Sequence, residues 1–562
     1  MRRFEPVLVL LGYAACSLAL IGRHLLRAPQ DAVVGSFGGD QGFFAWSLVH
    51  WLEVLQQRQP PFLTDRIDAP MGFNLAWATT IPGPAILAAP LTALIGPLAT
   101  YNTLALAAPA LAAWAAYLLC RHLTDESLAA ILGGWTFGFS SYVLGETLNH
   151  LNLALVATLP LILLVAIRLI EESLPRVRAT LLLAGLIALQ FLIFTEVAAT
   201  ATLVGGVALV AACVLGPSDS RIRIGRALPW LAAAYAVALV IVSPLLIAAF
   251  RHPNPLTDRI RPELYPLDFK NLLVPTPITW LGGERYLATS ATFAGNLTEQ
   301  LAYVGPLLAV VALAGFLRWR RERLAWTIAA TGLAALALAA GSHLVSGGVP
   351  SLTMPWSLVG RLPLIGYALP ARIVVFTWLA IALLTSLFVA RAGGSARGWL
   401  LRAALAVAAL ALLLPAPSAS WWRTGLATPA GISSGSATAA IPDDAVVLLL
   451  PYSFRGNGMY WQALDRMRYR QAGGYSAAAV PAAYAGFPIV AGFYSDQLPA
   501  NARYELLRYL AFTGTSWVLV DGAAPGPWTG LLREAGGKRS DVGGVVRFRF
   551  DPATVRAEVA PS

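Results

Sequence analysis

The chain has 562 residues, of which 57% are hydrophobic and only 12% are charged, and its apolar residues gather in stretches long enough to cross a bilayer. This composition excludes a soluble globular protein and indicates a polytopic α-helical membrane protein. The net charge of +11 comes from arginines between apolar stretches, which indicates membrane topology and no nucleic-acid partner. The cysteines, Cys16, Cys120 and Cys213, all lie in apolar stretches, which excludes a disulfide framework.

The first apolar stretch, residues 6–22, follows the basic sequence MRR, and no small-residue cleavage site separates it from the polar segment after it. We interpret it as an uncleaved anchor whose N-terminus lies in the cytoplasm. Further stretches have about the 20 residues that a helix needs to cross a bilayer. These predicted spans are residues 102–120, 127–144, 152–170, 179–195, 197–216, 228–250, 302–317, 324–342, 372–390 and 398–415.

The arginines test this count of about 11 transmembrane helices, because a cytoplasmic N-terminus places alternate loops inside the cell. Most of the loops that must lie inside are rich in arginine. The agreement requires that the proline-containing stretch 81–99 does not cross, so we expect a juxtamembrane or re-entrant segment there. Loops at about 23–101, 251–301 and 343–371 then lie outside, together with the tail.

The tail from about residue 418 changes in composition. The segments IPDDAVVLLLPYSF and TGTSWVLVDGA are typical of buried strands, and the polar segment NARYELLRYLAF between them is compatible with a helix. A linker rich in Pro, Ser, Gly and Ala precedes them. We therefore expect a transmembrane domain over 1–417 and a small extracytoplasmic α/β domain over 418–562.

Four local patterns accompany this order of elements: GGDQGFFAW (38–46), the proline-containing segment 79–102, NLLVPTP (271–277) and RLPLIGYALPAR (361–372). Together they resemble a bacterial branch of the GT-C superfamily of membrane glycosyltransferases. The resemblance implies an enzyme that takes a hexosyl or pentosyl group from a polyprenyl-phosphate donor. The acceptor would be a glycan, a lipid or a protein of the cell envelope.

The resemblance has one departure. Many GT-C enzymes carry two adjacent acidic residues in the first external loop, whereas Asp40 is here followed by Gln41. The sequence therefore does not support a metal-binding pair, and we expect no cofactor, with a divalent metal ion left open.

Asp40 has the chemistry that such a transfer needs. An inverting transfer requires one carboxylate to take the proton of the acceptor hydroxyl, because the phosphate is already a good leaving group. Gly38 and Gly39 precede Asp40 and allow a substrate to approach the backbone closely. Asp40 is therefore the candidate general base. Alternatively it caps the helix predicted over 41–55, and one residue can do both.

Polar residues near the predicted external boundary are candidates for substrate contacts. His50 lies on the helix after Asp40, whose tryptophans we interpret as anchors at the membrane interface. Glu146 and His150 lie in a tight turn, where they contact substrate or satisfy helix ends. Glu196 lies in an apolar run of two helix lengths that must turn nearby, and it either lines the active-site cavity or forms a structural ion pair.

A lipid phosphate requires cations, and arginine binds phosphate oxygens with two nitrogens at once. Arg372 opens a predicted span immediately after an external loop, and the second external loop offers further basic residues. The alternative is that these arginines only reach lipid headgroups. The loop candidates are Arg251, Arg259, Arg261, Lys270 and Arg285, and the full predicted set of substrate contacts is Gln41, His50, Glu146, His150, Glu196, Lys270, Arg285 and Arg372.

Other classes of function have less support in the sequence. It contains no Walker loop, nucleophile elbow, H-E-x-x-H motif or paired-cysteine zinc pattern. A transporter or flippase would show paired repeats and broken helices at the midplane. A non-catalytic GT-C-like envelope-assembly protein is the other alternative. A composition rich in Ala, Leu and Arg with few lysines suggests a bacterium, and hence its inner membrane.

Overall fold

The computed structural model describes residues 4–25, 32–35, 38–216, 218–252, 254, 256, 261–362, 365–391, 395–426, 428–475 and 480–559. Its α-helices are α1 (Glu5–Leu20), α2 (Gly38–Gln57), α3 (Pro82–Leu87), α4 (Ala89–Thr124), α5 (Ser127–Gly138), α6 (Ser141–Thr147), α7 (Leu151–Ala154), α8 (Thr158–Ile170), α9 (Arg176–Ile193), α10 (Thr195–Leu215), α11 (Ser218–Arg251), α12 (Leu287–Ser290), α13 (Pro306–Trp319), α14 (Arg323–Ala339), α15 (Trp356–Val359), α16 (Val374–Val389), α17 (Ala396–Ala411), α18 (Ala419–Trp422), α19 (Ala430–Ser433), α20 (Gly458–Leu464), α21 (Pro488–Ser495), α22 (Ala502–Thr513), α23 (Trp528–Glu534) and α24 (Pro552–Val559). Its strands are β1 (Ala32–Val34), β2 (Leu63–Thr64), β3 (Phe73–Asn74), β4 (His343–Ser346), β5 (Val349–Thr353), β6 (Arg423–Gly425), β7 (Val446–Leu450), β8 (Arg470–Gln471), β9 (Trp517–Asp521), β10 (Lys538–Val542) and β11 (Val545–Arg549).

The chain is a mostly helical, multi-pass membrane protein, and an α-helix lies at the position of every predicted span. In the described part of the chain, 6 helical segments are long and apolar enough to cross a membrane, and a bent helix pair would make a seventh. The 6 segments are Ala89–Thr124, Leu151–Ile170, Arg176–Ile193, Thr195–Leu215, Asp219–Arg251 and Pro370–Val389, and the bent pair is Ser127–Gly138 with Ser141–Thr147. Shorter apolar helices lie at Glu5–Leu20, Pro306–Trp319 and Arg323–Ala339. The count of about eleven crossings stays a prediction.

The proline-containing stretch 81–99 forms the short helix α3 and the beginning of α4. Ile81 has a positive φ of 43° before α3 begins at Pro82, and α4 runs from Ala89 through the predicted span 102–120. Helical geometry is broken inside α4 at Gly96, whose φ of 80° is a conformation that glycine adopts without strain. The stretch therefore joins the following span through a bend, and its position relative to the membrane stays a prediction.

The structure divides into two compact units. The first consists of Met1–Arg27, Thr103–Val242 and Ile260–Arg423, and the second of Ala28–Asn102, Ser243–Arg259 and Thr424–Ser562. The second unit thus groups the tail with segments that the sequence analysis assigned to the transmembrane domain. The boundary predicted between 417 and 418 stays a prediction.

The first unit is built around α16. In the apolar segment Pro370–Val389, which ends with α16, 94% of the most apolar 18 residues are buried, and α5, α13 and α14 pack against α16. Small residues allow these helices to approach closely, as in other membrane helix pairs. A Cβ atom on Gly315 of α13 would lie 2.1 Å from the carbonyl oxygen of Leu384, so a larger residue has no room there.

The second unit contains a five-stranded sheet in the order β10-β11-β9-β7-β8. Strands β8 and β9 run parallel to β7, whereas β11 is antiparallel to both β9 and β10. Strands β7 and β9 and helix α22 form where the sequence predicts them. Buried apolar residues cover both faces of β7 and β9, which explains why these strands are apolar throughout. Helix α2 packs on α20 within this unit.

Candidate active site

Asp40 lies inside the first turn of α2, because the helix begins at Gly38 and not at residue 41. The expectation that Asp40 is the capping residue before the helix is therefore wrong. At this position the carboxylate benefits from the positive end of the helix dipole. The side chain is partly buried, and the hydroxyl of Tyr475 donates a hydrogen bond to its Oδ1 atom.

Tyr475 was not among the sequence candidates, because 435 residues separate it from Asp40. Burial, and then the charge of Asp40, raise the pKa of the Tyr475 hydroxyl. The phenol therefore stays protonated and acts as the donor. Its ring also packs edge-on against Phe43 of α2, with 6.0 Å between the ring centroids. The hydrogen bond to Asp40 and the contact with the ring of Phe43 together hold Tyr475 beside the carboxylate.

The rest of α2 is held in the interior of the second unit. The Nε1 atom of Trp46 donates to Oε1 of Gln462 at 2.7 Å, and Gln462 in turn donates to backbone oxygens at 2.7 and 2.8 Å. Trp46 and Trp51 are 0% and 3% exposed. The interpretation of these tryptophans as membrane-interface anchors is therefore wrong. They are core residues that fix the helix carrying Asp40.

His50 and Gln41 are buried as well. The ring of His50 stacks on Trp46 with centroids 5.1 Å apart, and its Nε2 atom lies 3.2 Å from the carbonyl oxygen of Pro61. Burial lowers the pKa of His50 to about 4, so the ring is neutral at physiological pH. Gln41 is 0% exposed. The geometry thus gives no support to the predicted substrate contacts of these two side chains.

Arg372, Glu196 and Glu299 form a buried ion-pair cluster in the first unit. The Nη1 atom of Arg372 donates to Glu196 at 2.9 Å, while Nη2 and Nε donate to Glu299 at 2.6 and 3.1 Å. The three side chains are 12%, 13% and 3% exposed. Every nitrogen of the guanidinium has a carboxylate partner. The geometry therefore gives no support to the prediction that Arg372 binds the donor phosphate.

The ion pair also bears on the two interpretations of Glu196, and the cavity-lining role stays a prediction. The chain turns at Phe194, between α9 and α10, which places Glu196 in the first turn of α10 as expected. Its Oε1 atom accepts from the backbone N–H of Leu369 at 3.1 Å. With Arg372 on its other oxygen, Glu196 forms the structural ion pair that the sequence analysis treated as the alternative to a cavity-lining role. Glu299 completes this cluster, and no pattern in the sequence made it a candidate site residue.

Glu146 and His150 lie together in the same unit. The Nδ1 atom of His150 is 2.7 Å from Oε2 of Glu146, and Glu146 is 0% exposed. The other oxygen, Oε1, has no hydrogen-bond partner among the described residues. Glu146 in α6 and His150 after it thus contact each other, with Glu146 buried, and their predicted contact with substrate stays a prediction.

The basic residues of the second external loop that the structure describes are all exposed. Lys270 and Arg285 are exposed and form no ion pair with any described residue. Arg251 and Arg261 are also exposed. Arg259 lies outside the described residues. Among the described residues, no group of three or more His, Cys, Asp or Glu side chains could hold a metal ion.

Comparison with known proteins identifies the fold. A family model described as Domain of unknown function (DUF6311) matches residues 9–414, and no curated protein matches the sequence. The structure is similar to the oligosaccharyltransferase of Archaeoglobus fulgidus in its apo form, with a TM-score of 0.52 and 13% identity over 94% of this chain and 71% of that one. It is also similar to the arabinofuranosyltransferase AftD from Mycobacteria, with a TM-score of 0.56 and 15% identity over 98% of this chain and 40% of that one.

A third similar structure is that of ArnT from Cupriavidus metallidurans bound to undecaprenyl phosphate. Its TM-score is 0.51, with 12% identity over 96% of this chain and 97% of that one. This chain spans less than half the length of AftD, but nearly all of ArnT. These similarities show that the chain has the GT-C fold expected from its sequence.

Proposed function

We propose that this chain, which belongs to the DUF6311 family and has the GT-C fold, is a membrane glycosyltransferase that uses a polyprenyl-phosphate sugar as its donor. The acceptor belongs to the cell envelope and is modified on the extracytoplasmic side of the bacterial inner membrane. One observation carries the proposal: the carboxylate of Asp40 accepts a hydrogen bond from a hydroxyl group, as a general base does from its substrate.

In the proposed reaction, Asp40 takes the proton of an acceptor hydroxyl while the acceptor oxygen forms a bond to the anomeric carbon of the donor sugar. The bond between that carbon and the phosphate oxygen breaks, and its electron pair leaves with the polyprenyl phosphate. Attack from the face opposite the phosphate inverts the configuration of the anomeric carbon. The hydroxyl of Tyr475 holds the carboxylate in place until the acceptor hydroxyl replaces it.

The cations that we propose for the donor phosphate differ from Arg372, the main candidate in the sequence. Arg372 is already paired with two carboxylates, so we assign it the role of neutralising them. Lys270 and Arg285 are exposed and carry their charge without an ion-pair partner among the described residues, which makes them the candidates for phosphate binding. ArnT, one of the structural neighbours, is described as bound to undecaprenyl phosphate, and this supports the class of donor.

The experiment that tests the function is release of lipid phosphate. The full chain, reconstituted in lipid nanodiscs, is mixed with a panel of polyprenyl-phosphate hexoses and pentoses and an extract of bacterial envelope glycans. We expect acceptor-dependent release of free polyprenyl phosphate from at least one donor. If none is released from any donor, with donor binding demonstrated separately, the chain is not a glycosyltransferase of this kind.

A further inference from the structure

An exposed aromatic ring lies beside the candidate base and takes no part in the core. The side chain of Phe454 is 42% exposed. A Cβ atom on Gly39, the residue before Asp40, would lie 3.4 Å from the Cβ of Phe454, so this ring is next to the first turn of α2. The position of the ring is thus tied to the position of the carboxylate.

Two tyrosines support Phe454. The ring of Tyr475, which donates to Asp40, lies 6.4 Å from it at an interplanar angle of 63°, and the ring of Tyr494 lies 5.8 Å from it at 38°. Both tyrosines are partly buried, whereas Phe454 presents its ring to the outside. We call Phe454, Tyr475 and Tyr494 the aromatic shelf.

The backbone next to the shelf is fixed by polar contacts. Arg455 forms an ion pair with Asp496 at 3.4 Å, and its Nη1 atom donates to the backbone oxygen of Tyr494 at 3.4 Å. Arg455 and Asp496 are about one-third exposed, at 35% and 34%. Insertion of Phe454 into lipid would remove this charged pair from water, which is costly. The surroundings of the ring therefore favour a ligand that binds from water over a lipid contact.

We propose that the aromatic shelf binds a sugar ring of the acceptor, so that the acceptor is a carbohydrate; this inference rests on the proposed function. A sugar ring has one face of C–H groups and a rim of hydroxyls. Stacking that face on Phe454 removes apolar surface from water and leaves the hydroxyls free to reach a hydrogen-bond acceptor. Asp40 is that acceptor, and Tyr475 belongs both to the shelf and to the hydrogen bond that a sugar hydroxyl would replace.

A peptide or a lipid tail fits this surface less well. A peptide hydroxyl on serine or threonine has no flat apolar face beside it. A lipid tail has apolar surface without a hydroxyl for the base. The surface combines the exposed flat ring of Phe454 with the carboxylate of Asp40, which already accepts a hydrogen bond from a hydroxyl group. A ligand that matches both features is a sugar ring that bears hydroxyl groups.

The test measures binding of sugars without a donor. The full chain, in nanodiscs free of glycolipid, is titrated with the methyl glycosides of glucose, galactose, mannose and arabinose and with the peptide Ala-Ser-Ala, and binding is followed by saturation-transfer NMR. We expect at least one glycoside to bind through its ring C–H protons and the peptide not to bind. Phe454→Ala and Phe454→Leu should each weaken that binding about tenfold or more, because leucine keeps apolar bulk but has no flat face.

The matched control is Tyr504→Ala, which removes another exposed aromatic ring from the same unit, on α22, and should leave glycoside binding unchanged. The inference is overturned if no glycoside binds, or if Phe454→Ala binds as the wild type does. Release of lipid phosphate is measured in parallel. Phe454-dependent binding without release, with donor binding demonstrated separately, would overturn the proposed transferase and uphold the shelf. Release without Phe454-dependent binding would uphold the transferase and overturn the shelf.

Discussion

The buried cluster around Arg372 allows a stability prediction that does not depend on any enzymatic activity. Arg372 is bound through Nε, Nη1 and Nη2 to the carboxylates of Glu196 and Glu299, at 2.6 to 3.1 Å, and none of the three side chains is more than 13% exposed. In Arg372→Gln the two carboxylates lose their cation while they remain buried. Removing one partner of a buried ion pair costs about 3–5 kcal/mol. We therefore expect the free energy of unfolding to fall by about that amount.

The assay is denaturant unfolding of detergent-solubilised protein, followed by tryptophan fluorescence and extrapolated to zero denaturant. The control is Arg176→Gln, which removes an arginine from an ion pair with Glu172 whose side chains are 47% and 45% exposed. This control should cost less than about 1 kcal/mol.

A second variant tests the reason for the loss. Combining Arg372→Met with Glu196→Gln and Glu299→Gln removes the cation and both anions together. It should recover most of the lost stability, because no uncompensated charge remains buried. The reasoning is refuted if Arg372→Gln unfolds within about 1 kcal/mol of the wild type, or if the triple variant is less stable than Arg372→Gln.

Three further predictions concern pH, packing and hydrogen bonding. Burial raises the pKa of Asp68 to about 7, so its contribution to stability is present below about pH 4 and is lost as the pH rises to about 7. Asp68→Asn should therefore flatten that part of the plot of stability against pH, and an unchanged plot would contradict this. A Cβ atom on Gly138 would lie 2.3 Å from a backbone nitrogen of α4, so Gly138→Ala should lower the free energy of unfolding by about 1–3 kcal/mol. Gly185 has open space around it, so Gly185→Ala should be neutral or stabilising in the same unfolding assay. Gln462→Leu leaves Nε1 of Trp46 buried without its acceptor and should cost about 1–3 kcal/mol, and a loss below about 0.5 kcal/mol would show that this hydrogen bond does not matter.

The fold could be predicted largely from local sequence. Apolar length alone predicted a helix at each position where the structure has one in the predicted spans, because a helix that crosses lipid must satisfy its backbone internally and present apolar side chains. The strands Val446–Leu450 and Trp517–Asp521 were also visible, since each is a short apolar run between turn residues. The bend at Gly96 was not, because the same prolines and glycines are compatible with a separate re-entrant segment.

The site could be predicted only in part. Asp40 was visible because its glycine-flanked carboxylate follows an anchor, but its partner Tyr475 comes from a segment 435 residues away. Arg372 and Glu196 were each visible as charges at the ends of apolar helices, whereas their mutual ion pair and the role of Glu299 depend on packing between helices. An isolated sequence motif does not show whether a charge faces a substrate or another charge.

The most direct test of the central claim, that Asp40 is the general base, is the turnover of Asp40→Asn. Asparagine keeps the size of the side chain and an oxygen that can accept from Tyr475, but it cannot take a proton. With a donor that the wild type demonstrably uses, release of polyprenyl phosphate should fall by about 10²–10⁴-fold while donor binding and folding are retained. Asp65→Asn, a change at a side chain 66% exposed, should keep wild-type turnover. If Asp40→Asn turns over at the wild-type rate, Asp40 is not the base.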